Sequence, residues 1–288
     1  MRPSYLTPEA IHSFIASALS EDIGEGDHSS LGSIPKDKQT SARLLIKDDG
    51  ILAGVELAEM IFAQVDPSLR VEKFKKDGDE VKKGEVAFIV HGLARSVLSS
   101  ERLVLNCMQR MSGIATYTNR LSRLIAGTKA NLMDTRKTTP NFRLMEKWAV
   151  QIGGGMNHRF ALYSMVMLKD NHVDMAGGIK AAITNTKDYL KKTGKDLRIE
   201  IETRTLAEVE EALAVGGVDV IMLDNMSIAE MKKTVALIGG RCKTEASGGI
   251  TEATLRQVAE CGVDYISVGA LTHSVKSLDL SLKVIKPE

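Results

Sequence analysis

The spacing of apolar residues changes partway along the chain, and the change separates two kinds of organisation. Up to about residue 126, helical spacing alternates with β-like runs. Thr7 followed by Pro8 is typical of an N-cap with proline at the first helical position, which predicts a helix to about Leu19. The other elements predicted here are helices over Gly54–Val65 and Ala94–Ala126, strands over Ser41–Ile46 and Glu85–Val90, and a turn-rich stretch over Glu21–Gly32.

From Asn131 onward, short apolar strands alternate with amphipathic helices. Thr205 and Ser227 are each followed three residues later by glutamate, a spacing that predicts a capping box at the start of two helices. Because the strands are mostly apolar and separated by helices, the pattern predicts parallel βα units with both sheet faces covered. The predicted strands are Asn131–Thr135, Met165–Lys169, Arg198–Glu202, Val218–Asp224, Lys243–Ser247 and Asp264–Val268.

One segment of the first part, Val71–His91, resembles the flat hairpins of biotinyl and lipoyl carrier domains. Its predicted turns are Asp77-Gly78-Asp79 and Lys83-Gly84. A carrier needs a lysine displayed at a hairpin tip within its own motif, and no such motif occurs here. The pattern therefore favours a small sheet domain with this hairpin geometry. A non-catalytic carrier is the alternative, and its modified lysine would change the intact mass.

Composition excludes several partner classes. The chain has 38 Lys plus Arg against 37 Asp plus Glu, a formal net charge of +1. Such a balance gives no global field for nucleic acid or a membrane surface, so any anion site must be local. The N-terminal sequence lacks an apolar signal-peptide core, and no window has the roughly 18 apolar residues of a membrane span. Three scattered cysteines are typical of reduced thiols, so we expect a cytoplasmic protein without a disulfide or metal role for them.

Residues with chemical function follow the predicted strands of the second part. In a βα barrel the carboxyl ends of the strands meet at one mouth, where such enzymes place their active sites. Cations clustered at such a mouth are unfavourable unless an anion neutralises them. Carboxylates there can hold Mg²⁺ or stabilise positive charge. Glycine-containing loops allow a phosphate to approach the backbone N–H groups. Glu200 shares the alternation of Glu202, so spacing leaves the choice between them open. The candidates are Arg136, Lys137, His158, Arg159, Lys169, Glu202, Asp224, Ser247, Gly248, Gly249 and Gly269.

The motifs that carry these residues occur in a characteristic order. They are ERLVLNCMQRMSGIAT, DTRKTTP, EKWAVQIGGGMNHR, LKDNH, EIE, MLDN, ASGGI and VGALTHS. In this order they resemble the quinolinate phosphoribosyltransferases, and the resemblance spans essentially the whole chain. It implies an α/β protein in which an incomplete βα (TIM-like) barrel is joined to an N-terminal α/β sandwich domain. We expect residues 1–112 to form the sandwich domain, 113–272 the barrel, and 273–288 a segment that returns to the N-terminal domain.

The resemblance also implies the reaction, in which phosphoribose passes from phosphoribosyl pyrophosphate to quinolinate with decarboxylation, in NAD biosynthesis. Lys137, Glu202 and Asp224 would be catalytic, and the two carboxylates would hold Mg²⁺ directly or through water. Arg102 would reach the active site of a neighbouring subunit in a homodimer or a higher oligomer. The implied substrate-binding residues are Arg102, Arg136, Lys137, His158, Arg159, Lys169, Glu202 and Asp224, and the implied phosphate-binding residues are Ser247, Gly248, Gly249, Gly269 and Ala270.

Three places depart from the usual family residues: His28-Ser29, Asn141-Phe142 and Ser164. None removes an implied substrate contact, and asparagine tolerates positive φ better than most residues. Two further alternatives stay open. A sister enzyme of the kind associated with molybdate transport would release no CO₂ from quinolinate, and a barrel that senses a phosphosugar would bind its ligand without turnover.

Overall fold

The computed structural model of the protein describes residues 3–285, which form two compact units. The first unit contains residues 3–119, 137–154 and 270–285, and the second contains residues 120–136 and 155–269. The domain division predicted at residues 112 and 272 stays a prediction, and residues 1, 2 and 286–288, which it also assigns, lie outside the described residues. No helix within residues 3–285 has the combination of length and apolar character that a membrane span requires.

Helices and strands are numbered in chain order. The helices are α1 (Pro8–Ile23), α2 (His28–Ser33), α3 (Val55–Val65), α4 (Ala94–Leu124), α5 (Arg143–Ile152), α6 (Asp170–Ala176), α7 (Ile179–Thr193), α8 (Leu206–Val215), α9 (Ile228–Ile238), α10 (Glu252–Ala259) and α11 (Ala270–His273). The strands are β1 (Gln39–Ile46), β2 (Gly50–Ile51), β3 (Arg70–Lys73), β4 (Glu80–Val81), β5 (Val86–Leu93), β6 (Asn131–Met133), β7 (Val166–Leu168), β8 (Ile199–Thr203), β9 (Val220–Asp224), β10 (Lys243–Ser247), β11 (Tyr265–Ser267) and β12 (Leu280–Val284).

The first unit is built on a four-stranded antiparallel sheet in the order β12-β1-β5-β3, with a separate β2–β4 pair. Strand β1 alternates, so that Ala42, Leu44 and Ile46 are buried. The turns predicted between residues 71 and 91 are present, and Gly78 and Gly84 adopt φ values of 90° and 95° there. Because that region favours glycine, the two turns fix the hairpin geometry predicted from the sequence.

The turn-rich interpretation of Glu21–Gly32 is wrong in part. Helix α1 continues to Ile23, and a second helix, α2, begins at His28. Asp27 makes this start favourable, because its Oδ1 accepts a hydrogen bond from the Ser30 N–H at 3.1 Å. The stretch is polar and rich in glycine, so its composition predicts turns. The short helix α2 was not apparent because its start depends on the capping side chain of Asp27.

The second unit contains a six-stranded parallel sheet in the order β6-β11-β10-β9-β8-β7, with helices between successive strands. This is the incomplete βα barrel expected from the sequence, and each predicted strand is present within two residues of its predicted bounds. Ser227 begins α9 with a complete capping box to Glu230. At α8 only half of the predicted box forms, because the Glu208 carboxylate binds the Arg204 N–H and guanidinium instead of returning to the N-cap.

Candidate active site

The pairing register of the parallel sheet places the polar side chains of three neighbouring strands on one face. Glu202 of β8 pairs with Met222 of β9, and Met222 pairs with Glu245 of β10. Two residues nearer the carboxyl end, Asp224 pairs with Ser247. Directly paired residues in a sheet point to the same side, so these acidic and hydroxyl groups share the face that lines the barrel interior.

Two of the predicted cations lie close together near the carboxyl ends of the strands. Arg136 follows β6, Arg159 follows His158, and both are half-buried. Burial lowers the pKa of the Arg159 guanidinium below its ordinary value, the positive charge of Arg136 lowers it further, and Glu200 opposes the shift. Two half-buried guanidinium groups that repel each other electrostatically favour an anion with more than one negative group.

Lys169 and the carboxylates Glu202 and Asp224 form a second group. Lys169 Nζ lies 4.0 Å from Glu202 Oε2, and only 9% of Glu202 is exposed. Burial raises the pKa of Glu202, the neighbouring Asp224 carboxylate raises it further, and Lys169 opposes both. Two carboxylates that repel each other beside an exposed lysine are suited to stabilising positive charge on a bound molecule.

The glycine loop after β10 has the conformation that the sequence suggested. Gly248 and Gly249 adopt φ values of 86° and 60°. A Cβ atom on Gly248 would overlap the side chain of Asn225, which itself has φ 54° and donates from Nδ2 to Asp224 Oδ2 at 2.7 Å. The loop leads into α10, and the close approach of Asn225 accounts for glycine at position 248.

The predicted site residues divide between the two units. Gly269 follows β11 in the second unit, and its chain neighbour Ala270 begins α11 in the first. Arg102, on α4, and Lys137 are both exposed side chains of the first unit, where the Lys137 carbonyl accepts from Thr272 Oγ1 at 2.8 Å. The second unit contains Arg136, His158, Arg159, Lys169, Glu202, Asp224, Ser247, Gly248, Gly249 and Gly269. The roles assigned to all of these residues stay predictions.

Sequence reasoning missed Asp134 and Glu245 beside His158 and considered Glu200 only as an alternative to Glu202. His158 Nε2 lies 2.9 Å from Glu200 Oε2 and 3.5 Å from Glu245 Oε2, and the backbone N–H of His158 donates to Asp134 Oδ1 at 2.9 Å. The available signal was the alternation of Glu200 with two isoleucines in β8; β10, which carries Glu245, is largely polar and gave no such signal. Both glutamates can be read from the sequence, but that they lie close together is apparent only from side-chain contacts across the barrel interior.

The departures from family residues are accommodated locally. Asn141 adopts φ 61°, the left-handed conformation expected for it. The Ser164 hydroxyl accepts from the Ala161 N–H at 3.1 Å and donates to the Ala161 carbonyl at 3.0 Å, which closes a short turn. His28 begins α2 and lies 3.6 Å from Glu25 on the surface. Each departure therefore has a place in the local structure.

Two family models match the chain. Residues 22–112 match the N-terminal domain of quinolinate phosphoribosyl transferase and residues 114–283 match its C-terminal domain. The quinolinate phosphoribosyltransferase [decarboxylating] 2a of Nicotiana tabacum, a mitochondrial protein, is 49% identical, and the match covers 93% of this chain and 80% of the relative. The chloroplastic nicotinate-nucleotide pyrophosphorylase [carboxylating] of Oryza sativa subsp. japonica is 50% identical, with coverage of 93% and 76%.

These relatives correct one expectation from the sequence. The cytoplasmic location inferred from composition and cysteine usage is wrong as an inference, because the tobacco and rice relatives are mitochondrial and chloroplastic proteins. Reduced cysteines and a near-neutral charge are equally compatible with those compartments.

The three-dimensional structure gives the same family. The crystal structure of NadC from Streptococcus pyogenes is 39% identical and superposes with a TM-score of 0.90, covering 98% of this chain and 99% of that one. The segment 71–91, which prompted the carrier alternative, falls inside the match to the N-terminal family domain. The chain therefore belongs to the quinolinate phosphoribosyltransferase family.

Proposed function

We infer that this protein is a quinolinate phosphoribosyltransferase. It transfers phosphoribose from phosphoribosyl pyrophosphate to the ring nitrogen of quinolinate and forms nicotinate mononucleotide, pyrophosphate and CO₂, a step of NAD biosynthesis. The observation that carries this inference is the pair of half-buried guanidinium groups, Arg136 and Arg159, which repel each other electrostatically in a chain that matches the family domain. A planar dicarboxylate supplies the two negative groups that this pair favours.

Charge develops at two points of the first step, and the chain has residues suited to each. As the C1–oxygen bond of phosphoribosyl pyrophosphate breaks, its electron pair leaves with pyrophosphate and C1 becomes oxocarbenium-like. The Glu202 and Asp224 carboxylates stabilise that positive charge, while Lys169, with Lys137, offsets the negative charge of the leaving group. Ser247, Gly248, Gly249, Gly269 and Ala270 hold the 5′-phosphate through backbone N–H groups.

Decarboxylation follows from the product of the first step. Attack by the ring nitrogen converts the pyridine into a pyridinium cation, which is an electron sink. The bond to the carboxylate next to nitrogen breaks, CO₂ leaves, the electron pair stays on the ring carbon, and that carbon takes a proton. Arg136 and Arg159 hold the dicarboxylate in place through this step. The cation itself supplies the stabilisation that other decarboxylases obtain from a cofactor.

Glu202 and Asp224 also fit Mg²⁺. They are hard oxygen donors, and their mutual repulsion, seen in the raised pKa of Glu202, is what a divalent cation would relieve. We propose that they hold Mg²⁺ directly or through water. When bound, the ion would add to the neutralisation of the pyrophosphate group.

We further propose a homodimer, or a higher oligomer, in which Arg102 of one chain completes the active site of its neighbour. Arg102 is exposed on α4, which leaves its guanidinium available to another chain. The test is complementation between Arg102→Ala and Lys137→Ala chains, each inactive alone. Mixed dimers should regain partial activity because one of their two sites has both residues. No recovery in demonstrably mixed dimers would refute a shared site.

One assay tests the proposed reaction. The protein is incubated with Mg²⁺, phosphoribosyl pyrophosphate and quinolinate carrying a labelled carboxylate next to the ring nitrogen, and mononucleotide and labelled CO₂ are measured together. We expect the two products in equal amounts, and a parallel incubation with nicotinate should give no CO₂. Mononucleotide without CO₂ would indicate a sister activity, and binding without either product would indicate a sensor.

A further inference from the structure

Lys137 lies on a loop whose backbone is held by buried side chains of the first unit. The loop connects β6, which ends at Met133, with α5, which begins at Arg143. The Lys137 side chain is exposed, and its backbone carbonyl accepts a hydrogen bond from Thr272 Oγ1 at 2.8 Å. Thr272 itself is completely buried. A lysine side chain is long and flexible, so the reach of its ammonium group depends on how well its own backbone is fixed.

A second contact holds the loop two residues further along the chain. Thr139 donates its N–H and its hydroxyl to the buried carboxylate of Glu146 on α5. The two contacts are connected through Arg110 of α4, whose Nη2 donates both to Glu146 Oε1 and to the backbone carbonyl of Thr272. One guanidinium therefore links the two groups that fix the backbone on and beside Lys137.

The chain that follows Thr272 packs closely against α4, the helix that carries Arg110. The Leu278 N–H donates to the Gln109 carbonyl at 3.0 Å. A Cβ atom on Gly113 would overlap the Lys276 carbonyl, so glycine allows the two backbones to approach at this point. Helix α11, which ends at His273, is thereby joined at its carboxyl end to a segment that α4 fixes, and Thr272 is held in place from both sides of its own backbone.

We propose that Thr272 and Thr139 are positioning residues for Lys137, and that they hold its backbone where the ammonium group meets the pyrophosphate of phosphoribosyl pyrophosphate. Thr272 lies on the same short helix as Ala270, a proposed ligand of the 5′-phosphate. The Thr272 hydroxyl therefore fixes Lys137 relative to a group that binds the other end of the same substrate. This inference rests on the proposed function, because it takes Lys137 as a partner of the leaving pyrophosphate.

The test is a double-mutant cycle on the binding of phosphoribosyl pyrophosphate with Mg²⁺, measured by calorimetry without quinolinate. Thr272→Val keeps the side-chain volume and removes the hydroxyl, so the Kd should rise about tenfold. In Lys137→Ala chains the same substitution should change the Kd by less than about twofold, because the side chain that it displaces is absent. Equal increases in the two backgrounds would overturn the proposal, since Thr272 would then act independently of Lys137.

Two further variants separate positioning from stability. Thr272→Ser keeps the hydroxyl and loses a buried methyl group, so the melting temperature should fall while the Kd stays within about threefold of wild type. Thr244→Val is the matched control, because it removes a buried hydroxyl that donates to Asp264 Oδ2 at 2.9 Å at the amino end of β10; it should lower the melting temperature alone. Affinity that follows the melting temperature across the variants, and not the Thr272 hydroxyl, would overturn the proposal.

Thr139→Val keeps the proposal testable if Thr272→Val fails to fold. Thr139 is exposed, and the substitution removes only its hydroxyl bond to Glu146. The Kd should rise about threefold when Lys137 is present and stay constant in Lys137→Ala chains; no rise, or an equal rise in both, would overturn the proposal. Binding does not depend on turnover. Wild-type protein that binds phosphoribosyl pyrophosphate but forms no mononucleotide would refute the proposed function, while the cycle would still decide whether the two threonines position Lys137.

Discussion

Glu146 of the first unit and Glu245 of the second are both completely buried, and their surroundings are of opposite kinds. Glu146 of the first unit is 0% exposed and accepts four hydrogen bonds. Arg110 donates from Nε and Nη2 at 3.0 and 2.8 Å, and Thr139 donates from Oγ1 and its N–H at 2.9 and 3.0 Å. Glu245 of the second unit is equally buried, yet its neighbours are another carboxylate, a hydroxyl and an imidazole 3.5 Å away.

The difference separates a structural role from a functional one. A buried carboxylate that accepts two guanidinium hydrogen bonds on Oε1 and two further hydrogen bonds is compensated, and it connects α4, α5 and the segment between them. A buried carboxylate beside another acid raises the free energy of the folded state. Proteins keep such unfavourable groups where chemistry requires them, so incomplete compensation marks Glu245 as part of a site.

The largest effect is expected for Glu146→Ala. It leaves the Arg110 guanidinium half-buried without its carboxylate, and breaking a pair of this kind costs about 3–5 kcal/mol of unfolding free energy. Urea denaturation of both proteins measures the loss. The double variant Arg110→Met with Glu146→Met should lose clearly less, because it leaves no uncompensated charge. Equal losses in the two variants would show that packing, not the ion pair, determines the effect.

Asp77 is intermediate between Glu146 and Glu245, because hydrogen bonds compensate its burial only in part. This predicts that the stability of the fold depends on pH. Asp77 accepts from the N–H groups of Val55 and Glu56 at the start of α3, yet burial, aided by Glu59 and Asp79, raises its pKa from 3.8 to about 6. The folded state therefore binds this proton more tightly than the unfolded state. The stability contributed by protonated Asp77 is complete below about pH 3.8 and is lost as pH rises through about 6.

The loss of unfolding free energy when Asp77 gives up its proton amounts to at most about 3 kcal/mol before solvent screening. Unfolding curves between pH 4 and pH 7 should show wild-type protein losing this much relative to Asp77→Asn. Asp66→Asn is the control of opposite sign, because hydrogen bonds from Ser68 and Ser96 lower the pKa of Asp66. Curves for wild type and Asp77→Asn that run parallel over this range would contradict the assignment.

Arg136→Ala should separate binding from stability. Loss of one of the two clustered guanidinium groups should weaken quinolinate binding about 100-fold, or about 2.7 kcal/mol, as measured by calorimetry. The melting temperature should stay the same or rise slightly, because the repulsion acting on Arg159 is removed. Arg256→Ala, which removes an exposed ion pair with Glu260, should leave binding intact. Wild-type affinity in Arg136→Ala would refute the assignment of this residue to quinolinate.

The smallest effect, and the most direct test of the comparison, is expected for Glu245→Met. Replacement of an incompletely compensated buried acid by an apolar side chain of similar volume should leave the unfolding free energy unchanged or raise it by about 1 kcal/mol. Calorimetric melting of Glu245→Met and Glu146→Met under the same conditions gives the contrast. A large destabilisation by both would erase the distinction between the two glutamates.

Local pattern made most of the fold predictable and motif order identified the family, while the roles of the site residues stay predictions. Most of the parallel strands are short apolar runs of the right length, with the largely polar β10 as an exception, and the hairpin turns have glycine where positive φ is required. Local pattern could not reveal α2, which depends on Asp27, or the competition of Arg204 for Glu208. The contact between Glu200 and Glu245 was also beyond reach, because it depends on strands that are not neighbours in the sheet.

The pairing of β1 with β12 has a consequence for how the chain is made. Ile46 lies opposite Leu280, so the four-stranded sheet cannot be completed until nearly all of the described chain has left the ribosome. Until then, β1 presents an unpaired edge, while the whole of the second unit is synthesised in the interval. Premature termination just before β12 would leave that edge permanently open, so such fragments should self-associate more readily than the full chain.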